Sequence, residues 1–254
     1  MKQIYRFLAI GLLFAAACSK ESSDGLALTG KSGSITRFAT HNGYMYVLNP
    51  NEVLTYSLQD PDKPALVNRL TTDYGLETII VYDNTIYLGS NTALYILDIG
   101  NPAAPSILSK TNRNEVFLGG CDPVVVKEQY AYSTIKVIQN VCGDVSSQSA
   151  LIVYDISNKT APTETGTYPL NIPNGLGYQG NYLFVCDEGS DRLEVFDISN
   201  PLSVTPLPGF AVNILDPYDL IVDGNKMIVS TKTDFRIYDL QDLPVIKQIG
   251  LIAK

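Results

Sequence analysis

The sequence predicts an all-β fold of about twenty short antiparallel strands, and three observations carry that expectation. One phrase recurs along the chain: "LYILDIGNP" from Leu94, "LIVYDISNK" from Leu151, "LEVFDISNP" from Leu193 and, more loosely, "FRIYDLQDLP" from Phe235. Tight-turn residues punctuate the 254-residue chain, with Gly 19 and Pro 14. No segment holds a 3.6-residue period with caps, whereas β-branched and aromatic residues crowd the short apolar runs.

The N-terminus comes first. Met1, Lys2 and Arg6 lead into an apolar run of eleven residues, Phe7 to Ala17, that stops at Cys18. A bilayer-spanning helix needs about 20 apolar residues, so the run is too short to cross and reads as a secretory signal. Cys18 directly after Ala15, Ala16 and Ala17 resembles a bacterial lipoprotein signal, in which that cysteine is acylated and becomes the first residue. Ala15 departs from the leucine usual at that place; the alternative is an ordinary signal peptide with a nearby cysteine. Residues 1–17 are thus expected to be a lipoprotein signal peptide, 18–32 a flexible tether and 33–254 one folded domain. The tether opens "SKESSDG", polar enough to stay solvated. Its Lys20, Glu21 and Asp24 resemble the acidic signal that sends Bacteroidota lipoproteins to the outer face of the outer membrane. A lipid-anchored, surface-exposed outer-membrane location follows as the expectation. Loss of Lys2 and Arg6 with the signal moves the formal charge from −8 to −10. Such a surface repels nucleic acid and anionic lipid, so no nucleic-acid partner is expected.

The repeat fixes the rest of the order. Asp98, Asp155, Asp197 and Asp239, with Ser57 in the degenerate copy "VLTYSLQDP", are spaced 41, 57, 42 and 42 residues apart. A period near 42 belongs to arrays of one supersecondary unit that cannot bury its faces alone. Before each copy stands a second apolar stretch behind a tight turn, as in "HNGYMYVL" from His41, "YDNTIYLGS" from Tyr82 and "YQGNYLFVC" from Tyr178. A short apolar strand precedes that turn, and a weaker strand follows the Pro-containing turn after the repeat. Each unit is a four-stranded antiparallel meander, with limits near 33–71, 76–111, 121–169, 174–212 and 217–252. Inner strands that read as continuous apolar runs must be covered on both sides, as they are when blades pack face to face around an axis. A closed, five-bladed β-propeller is expected. The repeat aspartates at 98, 155, 197 and 239 are expected to accept hydrogen bonds from the backbone of the turns they open.

The pattern apolar-x-apolar-x-Asp-Ile-Ser-Asn-Pro resembles the LVIVD repeat, and the resemblance runs from about Ser34 to the C-terminus. It implies a propeller of the kind carried by exported lipoproteins. It implies little about activity, because the family is defined by its repeat and not by a reaction.

The chemistry-bearing residues are few. The spacing of 57 hides an insertion in the third unit, and topology brings its Cys142 to the same face of the disc as Cys121. A Cys121–Cys142 disulfide is expected, as in exported proteins generally. Cys186 reads as a small buried hydrophobe. With His41 the one histidine, Ser–His–Asp and Cys–His catalysis and multi-histidine metal sites are nearly excluded. The residues that open each inner strand should ring the mouth of the axial channel: Arg37, Glu77, Thr78, Asp122, Asn174, Tyr218 and Asp219. They could take a cation or a polar solute such as a sugar, or they could satisfy loop backbone around a water-filled funnel. No other cofactor or metal is expected. The leading function is a non-catalytic cell-envelope lipoprotein that binds an envelope protein or polar ligand by its disulfide-braced face. The alternatives are a glycan-processing enzyme using Glu77, Asp122 and Asp219, and a structural subunit of an outer-membrane assembly. The oligomeric state stays open.

Overall fold

The computed structural model describes residues 32–33, 35–90, 92–112, 123–137 and 149–254. Cys18 and the signal segment, Cys121, Asp122 and Cys142 lie outside the described residues. A two-residue strand, β1 (Ser32–Gly33), comes first. Blade one is β2 (Phe38–His41), β3 (Tyr44–Asn49), β4 (Glu52–Ser57) and β5 (Ala65–Thr71). Blade two is β6 (Leu76–Tyr82), β7 (Thr85–Ser90), β8 (Ala93–Asp98) and β9 (Ser106–Asn112). Blade three is β10 (Val124–Lys127), β11 (Tyr130–Ile135), β12 (Ala150–Asp155) and β13 (Thr163–Pro169). Blade four is β14 (Pro173–Gln179), β15 (Tyr182–Asp187) and β16 (Arg192–Asp197), with an outer strand in two pieces, β17 (Thr205–Pro206) and β18 (Val212–Asn213). Blade five is β19 (Pro217–Asp223), β20 (Lys226–Thr231), β21 (Asp234–Asp239) and β22 (Lys247–Ala253). Each blade is an antiparallel meander in chain order, with β1 added at the inner edge of blade four, which is the five-bladed propeller read from the repeat. The split in blade four falls where Pro206 and Pro208 remove backbone donors and a short 3-10 turn, Pro208–Phe210, intervenes.

Local chemistry explains the repeated corners. Asn42 and Gly43 both take positive φ, 47° and 77°, as the two-residue hairpin before β3 requires. Blade three makes the equivalent turn with Glu128 at φ 55°, a conformation its sequence does not advertise. After each third strand the repeat carboxylate accepts from the backbone two residues on: Gly100 N–H donates to Asp98 Oδ1 (2.9 Å), Ser157 to Asp155 (2.8 Å), Ser199 to Asp197 (2.8 Å) and Gln241 to Asp239 (3.0 Å). The next corner repeats the device, with Ala103 N–H donating to Asn101 Oδ1, Thr160 to Asn158 and Leu202 to Asn200. These hydrogen bonds satisfy donors that no sheet can reach.

Four joints between consecutive blades are sealed. Tyr46, Leu48 and Val53 of blade one meet Leu76, Ile86, Leu88 and Tyr95 of blade two. Tyr87, Leu94 and Ile96 meet Val124, Val126 and Ile152. Tyr132, Leu151 and Val153 meet Leu176, Leu183 and Phe196. Phe184, Cys186, Leu193 and Val195 meet Leu220, Met227, Val229 and Tyr238. A side chain buried on this scale contributes roughly 1.5–3 kcal/mol, so these four layers hold the fold together.

The expectation of a closed ring needs correction at the fifth joint. Among the described residues no apolar cluster links blade five back to blade one. The third residue of the second strand is wholly buried in blades one to four, as Tyr46, Tyr87, Tyr132 and Phe184, yet Ile228 in blade five is 40% exposed. At the second residue of the third strand, Val53, Leu94, Leu151 and Leu193 are wholly buried while Phe235 is 38% exposed. On the facing side of blade one, Phe38 is 59% exposed where its blade-two counterpart Ile79 is 3% exposed. Both faces have the apolar pattern of a joint, and among the described residues no apolar cluster spans them.

Candidate functional site

The loops entering the inner strands and those joining second to third strands share one face of the disc. The axis beneath them is filled by the chain itself. Backbone of β1 pairs antiparallel with β14, Ser32 opposite Gly177 and Gly33 opposite Leu176, and also lies against β6, β10 and β19. Residues 35–37 then cross the mouth. Ile35 N–H donates to Asp219 Oδ2 (3.3 Å), Thr36 Oγ1 to the Ile79 carbonyl (3.4 Å) and Arg37 Nη2 to the Leu76 carbonyl (3.3 Å).

The residues expected at the mouth fall into groups. Asn174 is buried, and its amide donates to Glu188 Oε2 (3.1 Å) and the Pro217 carbonyl (3.5 Å) while accepting from Lys136 Nζ (3.3 Å). Asp219 accepts from backbone: its Oδ2 from Ile35 N–H and its Oδ1 from Leu220 N–H (2.9 Å). Gly175 lies flat against it; a Cβ there would overlap Asp219 Oδ1 and come within 2.8 Å of its Cα. Thr78 is buried in β6, Glu77 beside it is partly buried, and Arg37 is turned to blade two. Tyr218 is exposed on blade five. The structure therefore joins Asn174, Asp219 and the Ile35 backbone across blades four and five.

A charged network at the rim was not expected from the sequence. Glu188 is bonded to Asn174, to Lys136 Nζ (3.4 Å) and to Lys232 Nζ (3.7 Å), and Lys232 also reaches Asp216 Oδ1 (3.0 Å). The Asn174 amide, then Lys136 and Lys232, hold the Glu188 carboxyl below its ordinary range. The bond to Asp216 raises the Lys232 ammonium. A signal was available: Lys136, Glu188 and Lys232 each stand directly after the second strand of their blades, so equal repeat position puts them side by side. Asp187, one residue earlier, is buried and accepts from Asn171 N–H (3.1 Å) and Ile172 N–H (2.7 Å), which pins the loop that enters β14. On the opposite face a polar groove of about 370 Å³ runs between blades four and five, lined by Gln179, Asn181, Tyr182, Asn225 and Gln241.

Cys186 is fully buried, and burial with the nearby Asp219 and Asp187 pushes its thiol well up, the opposite of a nucleophile's needs. Among the described residues no three His, Cys, Asp or Glu side chains are grouped to hold a metal ion.

Comparison with known proteins agrees with this architecture. A sequence model of the LVIVD repeat matches residues 77–112, 144–169 and 176–205. No curated protein matches the sequence significantly. Among solved structures, a Bacteroides uniformis protein provisionally assigned as a 6-phosphogluconolactonase superposes with a TM-score of 0.67 at 10% identity, over 85% of this chain and 70% of that one. A chain of a nidogen/laminin complex gives 0.55 at 15% identity, over 87% and 78%. A protein from Lactobacillus plantarum gives 0.56 at 14%, over 84% and 69%. At these identities the likeness is one of fold. The matched segments fall in blades two, three and four, and the chain is a β-propeller that carries LVIVD repeats.

Proposed function

We propose that this chain is a non-catalytic binding module of the bacterial cell envelope, anchored by a lipid on Cys18, that recognises a polar partner with the mouth face of its disc. The partner is a glycan or the polar face of an envelope protein.

The observation that carries the reading is the filled axis. A glycan-processing enzyme would need two carboxyls about 5–10 Å apart facing a cleft that admits substrate. Here β1 runs where the cleft would lie, and Asp219 accepts two backbone hydrogen bonds instead of facing an open channel. Among the described residues the rim offers Lys232, largely exposed and held by Glu188 and Asp216, and blade five also exposes Tyr218. Rigid loops carrying paired charges and an exposed aromatic suit recognition. The lipid anchor is supported by the apolar run that ends at Cys18.

Thermal-shift titration with envelope oligosaccharides, beside affinity capture of envelope proteins, tests the module. The wild type should respond to a partner that Lys232→Ala loses, with unliganded stability unchanged. Release of a hydrolysis product from any glycan would overturn the non-catalytic reading. For the anchor, globomycin should leave a larger precursor and Cys18→Ser should abolish palmitate labelling; undiminished labelling of that variant would refute it.

A further inference from the structure

Blade five, the last of the described blades, carries a face that matches those its predecessors bury. Ile221, Ile228, Phe235 and Ile237 occupy the positions at which earlier blades pack on the next, and the first three are 50, 40 and 38% exposed. Blade one, the first of the described blades, carries the opposite face, where Phe38 is exposed and Met45 and Val47 are half-buried, although the blade-two counterparts of the latter two, Ile86 and Leu88, are wholly buried. Two complementary apolar faces are thus left open on one molecule, at the ends of four joints that each match a face of the first kind to one of the second. Contiguous exposed apolar surface marks an interaction site.

The faces do not close on each other within the chain, although the Ile35–Asp219 hydrogen bond ties blade one's approach to blade five near the axis. The angle between them is set by the four sealed joints, and close-packed interiors do not yield without losing contacts. A second molecule of the same chain bears the complementary face.

We propose that a second copy of this chain docks head to tail, its blade one packing on the open face of blade five as each blade packs on the next within the molecule. The contact continues an interface already made four times. It is heterologous, so one contact leaves a free face at each end of the pair. Tethering to a common membrane, as the lipid anchor would provide, raises the local concentration that favours it.

Sedimentation equilibrium of the full chain in a neutrally buoyant detergent tests the proposal with Ile228→Asp and Phe38→Asp, each placed on one open face. The wild type should gain mass with concentration beyond a single chain. Each variant alone should remain a single chain, with association weakened about a hundredfold, because a charge is placed in an apolar contact. An equimolar mixture of the two should form a pair and nothing larger, since it restores one intact face of each kind. Both positions are exposed in the single chain, so at concentrations where the wild type is also a single chain the thermal midpoint of each variant should equal that of the wild type. A wild type that stays a single chain at every concentration would overturn the proposal, and so would self-association of either variant alone.

Discussion

Blades four and five carry the same strand register, and the contrast between their outward faces separates what a repeat specifies from what a neighbour completes. Phe184, Leu193 and Val195 of blade four are buried against Leu220, Met227 and Val229. Ile228, Phe235 and Ile237 of blade five hold the same positions with similar side chains and meet water. Apolar pattern therefore marks a face as able to pack, whereas burial depends on the next blade being there. The first face should behave as protein core and the second as surface.

The largest effect expected from this contrast is on stability. Phe184→Ala should cost about 3–5 kcal/mol by removing a large side chain from a sealed layer. Ile228→Ala should change stability by about 0.5 kcal/mol or less, as surface substitutions do. Denaturant titration of the two variants measures both, and equal losses would break the comparison. Gly175→Ala comes next, at about 1–3 kcal/mol, because its Cβ would press on the backbone of Asp219 at the four–five joint. Gly209→Ala, with nothing within 4 Å, should leave the melting temperature almost unchanged.

Smaller effects sharpen the picture at the corners. Asp197→Ala should lose the bond from Ser199 N–H and about 1 kcal/mol with it, read by the same titration. Hydrogen bonds in the turns hold the Asp155, Asp197 and Asp239 carboxyls below their ordinary range, from Ser157, Ser199 and Gln241 respectively. A depressed folded-state value means that this stabilisation is complete above the unfolded value, near 4, and is lost as pH falls through the lower folded one. The melting temperature should stay level down to about pH 5 and fall below about pH 4. Lys232→Ala should cost least, leaving the denaturant midpoint almost unchanged, since its ion pairs lie in solvent.

Much of the fold was legible because one register controls it. The aspartate positions gave the period, the period gave the blades, and hairpin residues such as Asn42 and Gly43 set strand limits. What escaped reading has physical reasons. Nothing in Ser32 or Gly33 signals a strand, because their pairing is with β14, more than a hundred residues away in sequence, and depends only on backbone. The rim network of Lys136, Glu188 and Lys232 is invisible as a motif and emerges only when equal repeat positions are stacked around the axis. The mouth residues Asn174 and Asp219 were placed on the right face by topology, but their hydrogen-bond partners, Glu188 and Ile35, come from loops whose course the pattern does not encode. The open faces could not be read at all, since Ile228 looks like Phe184 until a neighbour is sought.

Thiol labelling of Ile228→Cys in native, dilute protein tests the contrast most directly. Native Cys186, buried on the equivalent face of blade four, serves as the internal reference in the same molecule. Peptide-resolved mass spectrometry should find the thiol at 228 modified at the rate of a free cysteine, while Cys186 reacts only through unfolding. If the thiol at 228 is instead as protected as Cys186 at every protein concentration, blade five is sealed within the single chain and the open-face account is wrong.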